Sequence, residues 1–419
     1  MNDLPQSPPQ PKDAVVPQIV AGTLTRPVFI AMMASLMALN ALAIDIMLPA
    51  FPNIQADFPG AAGNEIQYLL LSYIIGFGGA QLVYGPISDR YGRRIPLFVG
   101  MAMYVVFSVA GALAPSFAFL LAARFLQGVG AAATRTIAMA VVRDTHSGRA
   151  MASTMSLVMM VFMVVPVFAP MTGQAIIIFG EWHLIFTFMA VIGIVVLAWC
   201  MRALPETLHE EYRRPLTVVS VLQGFRLIVT NRLSLFYTLA TAFFFGSLFG
   251  FLNTAQPIYV DIYGLGHLFP IAFSSVAVLM AITSFANSRL VTRIGQRRLS
   301  HGALILYFIV TGVLAITSWS SDPPFWFFMT VLAFAMPLFG LIGANLNSIA
   351  MEPLGAVAGT ASSVLGFMQT VGGGIVGGVI GQFYEGHVFT LSAGFVGASA
   401  IALVFVLIAE KGRLFGHGT

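Results

Sequence analysis

The chain has 419 residues, of which 58% are hydrophobic and only 9% charged, with a formal net charge of +4. A soluble domain carries roughly 25% charged residues, so water cannot be the solvent for most of this surface. The apolar residues come in blocks of about twenty, the length with which a helix crosses roughly 30 Å of hydrocarbon, and this excludes a soluble enzyme or nucleic-acid-binding domain.

In chain order, residues 1–26, MNDLPQSPPQPKDAVVPQIVAGTLTR, are rich in proline and polar side chains. They hold no apolar block that would serve as a signal-peptide core, and read as a disordered cytoplasmic tail. The first apolar block, Val28 to Ala50, is long enough to span and carries Asp45, so a retained helix is expected. Spans are predicted at 28–50, 66–85, 95–114, 117–140, 151–178 and 184–203, then at 234–259, 269–287, 300–319, 325–350, 361–381 and 388–409. The expected fold is an all-α integral membrane protein with twelve transmembrane helices in two pseudo-symmetric six-helix bundles, 27–203 and 234–409. A polar cytoplasmic linker, 204–233, divides them, and residues 410–419 form a second cytoplasmic tail.

Basic residues fall in alternate loops. Arg90, Arg93 and Arg94 follow span 2, Arg143 and Arg149 follow span 4, and Arg289, Arg293, Arg297 and Arg298 follow span 8. Arg202, Arg213, Arg214, Arg226 and Arg232 flank or occupy the linker, and Lys411 and Arg413 lie in the last tail. The opposite loops carry Asp57, Glu65, Glu181, Asp261, Asp322 and Glu385 without Lys or Arg. Basic short loops stay in the cytoplasm, so both termini are expected there, in a multi-pass protein of the cytoplasmic (inner) membrane. The single cysteine, Cys200, excludes an intrachain disulfide.

The loop after span 2 reads GPISDRYGRR, residues 85–94. Gly85 and Gly92 permit a tight turn, Asp89 puts an acid at a helix end, and Arg90, Arg93 and Arg94 sit where the membrane field holds cations. SRLVTRIGQRR, residues 288–298, is a weaker echo after span 8, with Ser288 for the first glycine and Thr292 for the acid. The first pattern resembles the signature loop of the major facilitator superfamily, a likeness that runs over essentially the whole chain after the tail. It implies a conformational latch in which Asp89 meets the N-terminal end of span 11 and Arg93 pairs with Asp144 at the end of span 4. No equivalent latch is assigned to the second half, where Arg293 and Arg297 read equally well as simple topology determinants.

Arg124, in RFLQGVGAA of span 4, is a guanidinium within the bilayer, costing several kcal/mol unless it faces a partner or water. The acid well inside a predicted span is Asp45, in IDIMLPAFPNI; it lies about 8 Å from the outer end of span 1 and Arg124 about 10 Å from the outer end of span 4. The matched depths predict an Asp45–Arg124 interaction, with Asp45 taking up and releasing a transported proton and Glu65 as the reserve candidate. RFLQGVGAA resembles the motif linked to proton coupling in these carriers. Arg135, three turns further on, is expected to anchor at the cytoplasmic face.

Span 5 carries Pro166, Pro170 and Gly173 in VVPVFAPMTGQ, which resembles the family's antiporter signature with Ala169 and Gln174 in place of glycines. With DIMLPAFPNI, QLVYGPISDRYGRR and VRD at 142–144, this likeness narrows to the bicyclomycin/chloramphenicol-resistance (Bcr/CflA) branch of drug exporters. In span 11, Gly373, Gly377 and Gly381 with Gly374 and Gly378 are spaced for close helix packing. Asn40, Tyr73, Gln81, Asn253, Gln256, Asn345 and Gln369 are polar side chains inside spans, each either a cavity lining or a helix-to-helix hydrogen bond.

Only two lysines, Lys12 and Lys411, occur and neither follows glycine, so no phosphate-binding loop for ATP is present. No metal-ligand spacing or catalytic set appears, and no cofactor or nucleic-acid partner is expected. The expected function is efflux of small lipophilic drugs or antibiotics in exchange for protons, by a monomer whose partners are the drug, protons and the lipid bilayer. A proton-linked metabolite or sugar carrier is the alternative on the same fold.

Overall fold

The computed structural model describes residues 24–59, 63–146, 148–208, 210–212 and 218–416. Most of the N-terminal tail, residues 1–23, therefore lies outside the described residues, as do 213–217 of the linker and 417–419.

Twelve helices are long and apolar enough to cross a membrane: Arg26–Asp57 (span 1), Asn64–Tyr91 (span 2), Arg94–Ala112 (span 3), Phe117–Thr145 (span 4), Leu157–Phe179 (span 5) and His183–Ala203 (span 6). The second half repeats the set with Arg232–Ile262 (span 7), Gly266–Ile294 (span 8), Gln296–Thr317 (span 9), Phe325–Leu354 (span 10), Ala361–Gln382 (span 11) and Val388–Ala409 (span 12). No strand occurs among the described residues. The face that carries the arginine-rich loops is the basic face; the opposite one is the acidic face.

Three spans are interrupted by proline. In span 1 the first helix, Arg26–Asp45, ends before a 3-10 turn, Leu48–Ala50, and resumes over Phe51–Asp57. Pro49 has no N–H, and its ring would strike the carbonyl four residues back, that of Asp45. Span 10 breaks in the same way at Met336–Leu338, around Pro337, and span 7 passes from helix into a π turn, Ile258–Ile262, after Pro257. By contrast, span 5 runs as a continuous helix, Gly148–Phe179, through both Pro166 and Pro170.

The halves meet chiefly along spans 2 and 11, which are antiparallel and in contact from end to end. A Cβ on Gly381 would meet Gln67, one on Gly378 Leu71, one on Gly374 Ile74, one on Gly366 Gln81, and one on Gly85 Ser363. The other face of span 11 serves its own half: Gly373 and Gly377 lie against the backbones of Gly246 and Gly250 in span 7. Two neighbours thus approach one helix from two sides, which only bare backbone permits. A second junction joins spans 5 and 8, where the Ser274 hydroxyl donates to the Val167 carbonyl at 2.5 Å.

The linker is not wholly irregular. It contains a helix, Val218–Thr230, whose Phe225 ring lies 5.9 Å from that of Phe367 in span 11. Aliphatic side chains such as Val83, Ile95, Val99, Ile194 and Val195 face outward, as helices solvated by lipid require.

Candidate functional site

Arg124 is fully buried, and its guanidinium is held by neutral acceptors. It donates to the carbonyls of Ala43 (3.0 Å) and Leu69 (3.4 Å) and to Gln127 Oε1 (2.6 Å), and it lies 4.4 Å from the centroid of the Tyr73 ring. Gln127 is oriented in turn, because its amide nitrogen donates to Ser108 (2.7 Å) on span 3. Tyr73 donates to Asn40 (3.1 Å) on span 1. Spans 1, 2, 3 and 4 are thereby tied around one cation.

The expected Asp45–Arg124 interaction is not made. The guanidinium takes the carbonyl two residues before Asp45, and no hydrogen bond or ion pair reaches the Asp45 side chain among the described residues. The residue is 5% exposed. Matching depths placed both groups at one height, but the guanidinium meets the Ala43 carbonyl, just before the break at Pro49, and not the Asp45 carboxylate. The same break receives span 5, since a Cβ on Gly173 would collide with the Ile46 carbonyl. Pro170 is buried alongside, and Pro166 is half-buried. Glu65 is exposed at the acidic end of span 2, away from this cluster.

At the basic face, Arg93 does pair with Asp144. Its Nε and Nη2 donate to the carboxylate at 2.7 and 3.2 Å, while Nη1 donates to Asp89 (2.6 Å) and Ser88 (2.8 Å). Burial alone would lower the Arg93 guanidinium, but the hydrogen bond and charge of Asp144, then those of Asp89, outweigh it and push it up. Glu206 completes the cluster: it accepts the backbone N–H groups of Arg93 (2.8 Å) and Arg94 (3.2 Å), which open span 3. Gly92 makes this possible, with φ +86 and no side chain to displace the Glu206 carboxylate. Arg94 also reaches the Met201 carbonyl at 3.1 Å, and Arg90 is exposed beside its neighbour Tyr91. The side chains at 355–360, where the expected partner of Asp89 lies, are outside those described.

The second half has a counterpart, contrary to expectation. Arg297 donates to Glu352 at the end of span 10 (2.8 Å) and to Glu410 at the end of span 12 (2.8 Å). These acids occupy the places that Asp144 and Glu206 hold after spans 4 and 6. The echo lost its acid at Thr292, but the charges that matter arrive from other helix ends. Glu410 also accepts the Tyr237 hydroxyl (2.7 Å), and Tyr237 meets His301 Nε2 (2.8 Å), whose Nδ1 accepts the Phe415 N–H (3.2 Å). Because the one phenolic proton goes to Glu410, His301 donates through Nε2.

Most of the other polar side chains join helices. Gln81 reaches Thr370 (3.5 Å), Asn253 the Gly377 carbonyl (3.2 Å), Asn345 both Asn287 (2.8 Å) and its own helix, and Gln369 Asn347 (3.3 Å). Gln256 is buried and has no hydrogen bond among the described residues. Sequence reasoning missed Gln127, Glu206, Glu352, Glu410 and His301. Gln127 stood three residues after Arg124, the spacing of one helical face. The four others carry no local pattern. No group of His, Cys, Asp and Glu able to hold a metal occurs among the described residues, and Cys200 is buried and free.

Twelve spans in two related halves, with a buried cation cluster in one and charge clusters closing the basic end of each, are the architecture of a membrane carrier. Residues 33–377 match the Major Facilitator Superfamily, and the chain belongs to that family of transporters. It is 32% identical over 353 residues to the uncharacterized MFS-type transporter YdgK of Bacillus subtilis (strain 168), covering 84% of this chain and 87% of that one. It is 30% identical over 354 residues to the bicyclomycin resistance protein homolog of Haemophilus influenzae, covering 84% and 88%. Among solved structures, the D-xylose-proton symporter aligns with a TM-score of 0.72 and 13% identity, covering 92% of this chain and 99% of that one, a likeness of fold.

Proposed function

We propose that this transporter exports small lipophilic drug-like compounds across the inner membrane in exchange for protons, with Asp45 as the group that takes up and releases the proton. The observation that carries the reading is that Asp45 is the one acid buried among the described residues and that it has no protein partner. An acid inside a span that no protein group holds is open to take up and release a proton as its surroundings change with conformation. Substrate class comes from the likeness to a relative named for bicyclomycin resistance.

In this reading the basic face is cytoplasmic, as its arginines favour. The Asp89, Arg93, Asp144 and Glu206 cluster latches the first half while the carrier faces outward, and spans 2 and 11 are the seam about which the halves rock.

The test is proton movement in everted membrane vesicles, with antibiotics added to an established pH gradient. Particular compounds should release protons through the wild-type protein, and Asp45→Asn should abolish that release. If no compound moves protons, exchange is wrong; if Asp45→Asn responds like the wild type, another group carries the proton.

A further inference from the structure

Span 4 carries a second arginine whose surroundings differ from those of the first. Arg135 follows Arg124 by eleven residues, about three turns, so it lies roughly 16 Å nearer the basic face and only about 20° off the same stripe. Phe125 and Val129, on another side of the helix, line a groove of about 450 Å³ that opens toward lipid between spans 2, 3 and 4. Arg124 and Ala131, on the Arg135 stripe, are fully buried, whereas Arg135 is half-buried. It is the first residue after Arg124 on this stripe that packing does not fully enclose.

Arg135 has no hydrogen bond, ion pair or ring contact among the described residues. The helix continues to Thr145, about 15 Å beyond it. Asp144, the acid of this helix, is taken by Arg93 and by the Thr207 hydroxyl. Asp45 stands about 29 Å from the basic end of span 1, so the two unpaired charges differ in depth by about 14 Å. A lone guanidinium within a span costs several kcal/mol unless water or a partner reaches it. Arg124 shows how this half satisfies a fully buried arginine: carbonyls, an amide and a ring surround it.

We propose that Arg135 is the anion-recognising residue of the transport cavity, selecting compounds that carry a carboxylate or phosphonate. The inference deepens the exporter reading and rests on it. The guanidinium offers a planar pair of N–H donors matched to such oxygens, and an approaching anion replaces water instead of displacing a protein partner. Asp45, deeper on the same half, is left free to exchange its proton while the anion is held.

The test compares nalidixate, an anionic carboxylate, with chloramphenicol, which is neutral. In everted vesicles Arg135→Gln should lower the nalidixate-to-chloramphenicol transport ratio by about tenfold, and Arg135→Lys, which keeps the charge without the fork, should fall between. Independently of transport, nalidixate should raise the unfolding temperature of the purified wild-type protein in nanodiscs and not that of Arg135→Gln. Equal loss of both substrates, equal stabilisation of the two proteins, or no stabilisation of the wild type overturns the proposal. Stabilisation that requires Arg135 in a protein that moves neither compound would sink the exporter reading while leaving the anion site in place.

Discussion

A fully buried guanidinium held without a carboxylate reveals how polar groups are managed in this chain. Arg124 satisfies its donors with the Ala43 and Leu69 carbonyls and Gln127, so charge stabilises the meeting of three spans without consuming the nearby acid. Sequence spacing placed Arg124 and Asp45 at a matching height, as the contact of Arg124 with the Ala43 carbonyl bears out, but could not give azimuth, which packing sets. Within the loop at 85–94 the contacts of Arg93 with Ser88 and Asp89 join residues four or five apart and follow from local geometry, whereas its partner Asp144, 51 residues on, was expected from the likeness to a family's signature loop. Gly92 is the residue on which that loop depends. Gly92→Ala forces a side chain into the left-handed region and against the Glu206 carboxylate. We expect a loss of about 1–2 kcal/mol, read as a lowered unfolding temperature in detergent; an unchanged value would show that the turn relaxes freely.

Among the elements, span 11 carries the strongest steric demand. Its glycines looked like packing residues from their spacing of four, and the structure assigns Gly373 and Gly377 to span 7 and Gly374, Gly378 and Gly381 to span 2. A Cβ on Gly377 would come 2.7 Å from the Gly250 nitrogen, a backbone atom with no rotamer to yield. Gly377→Ala should therefore destabilise the protein by about 1–3 kcal/mol, whereas Gly397→Ala in span 12, where nothing lies within 4 Å, should be close to neutral. Equal unfolding temperatures for the two variants would show that span 11 shifts without cost. The Arg297 cluster carries the opposite lesson. Its acids, Glu352 and Glu410, come from the ends of two other spans, so a comparison of loops alone concealed a counterpart that packing makes evident.

At the scale of the whole molecule, the acidic ends of the halves are clasped by neutral groups. Asn64 Nδ2 donates to the carbonyls of Gln382 (3.0 Å) and Tyr384 (2.7 Å), and Gln382 returns a bond to the Asn64 carbonyl (2.9 Å). Since no member titrates, the clasp holds equally at any physiological pH. Asn64→Ala combined with Gln382→Ala should loosen this end. Spin labels on cysteines replacing Glu65 and Glu385, both exposed, would report a distance distribution extended toward longer values; an unchanged distribution would mean that spans 2 and 11 alone keep the end shut.

The sequence by itself determined the solvent, the number of spans, the asymmetry of basic and acidic loops and the division into halves, while the Arg93–Asp144 pair followed from the likeness of residues 85–94 to a family's signature loop. Each depends on composition, on length against bilayer thickness, or on a local motif. Only the tertiary structure decided that Arg124 binds backbone, that Asp45 and Arg135 stand unpaired, that span 11 serves two neighbours, and that the second half owns a charge cluster. These are facts of rotation about helix axes and of contacts between residues far apart in the chain, and a periodicity of 3.6 fixes which residues share a face without fixing what that face will meet.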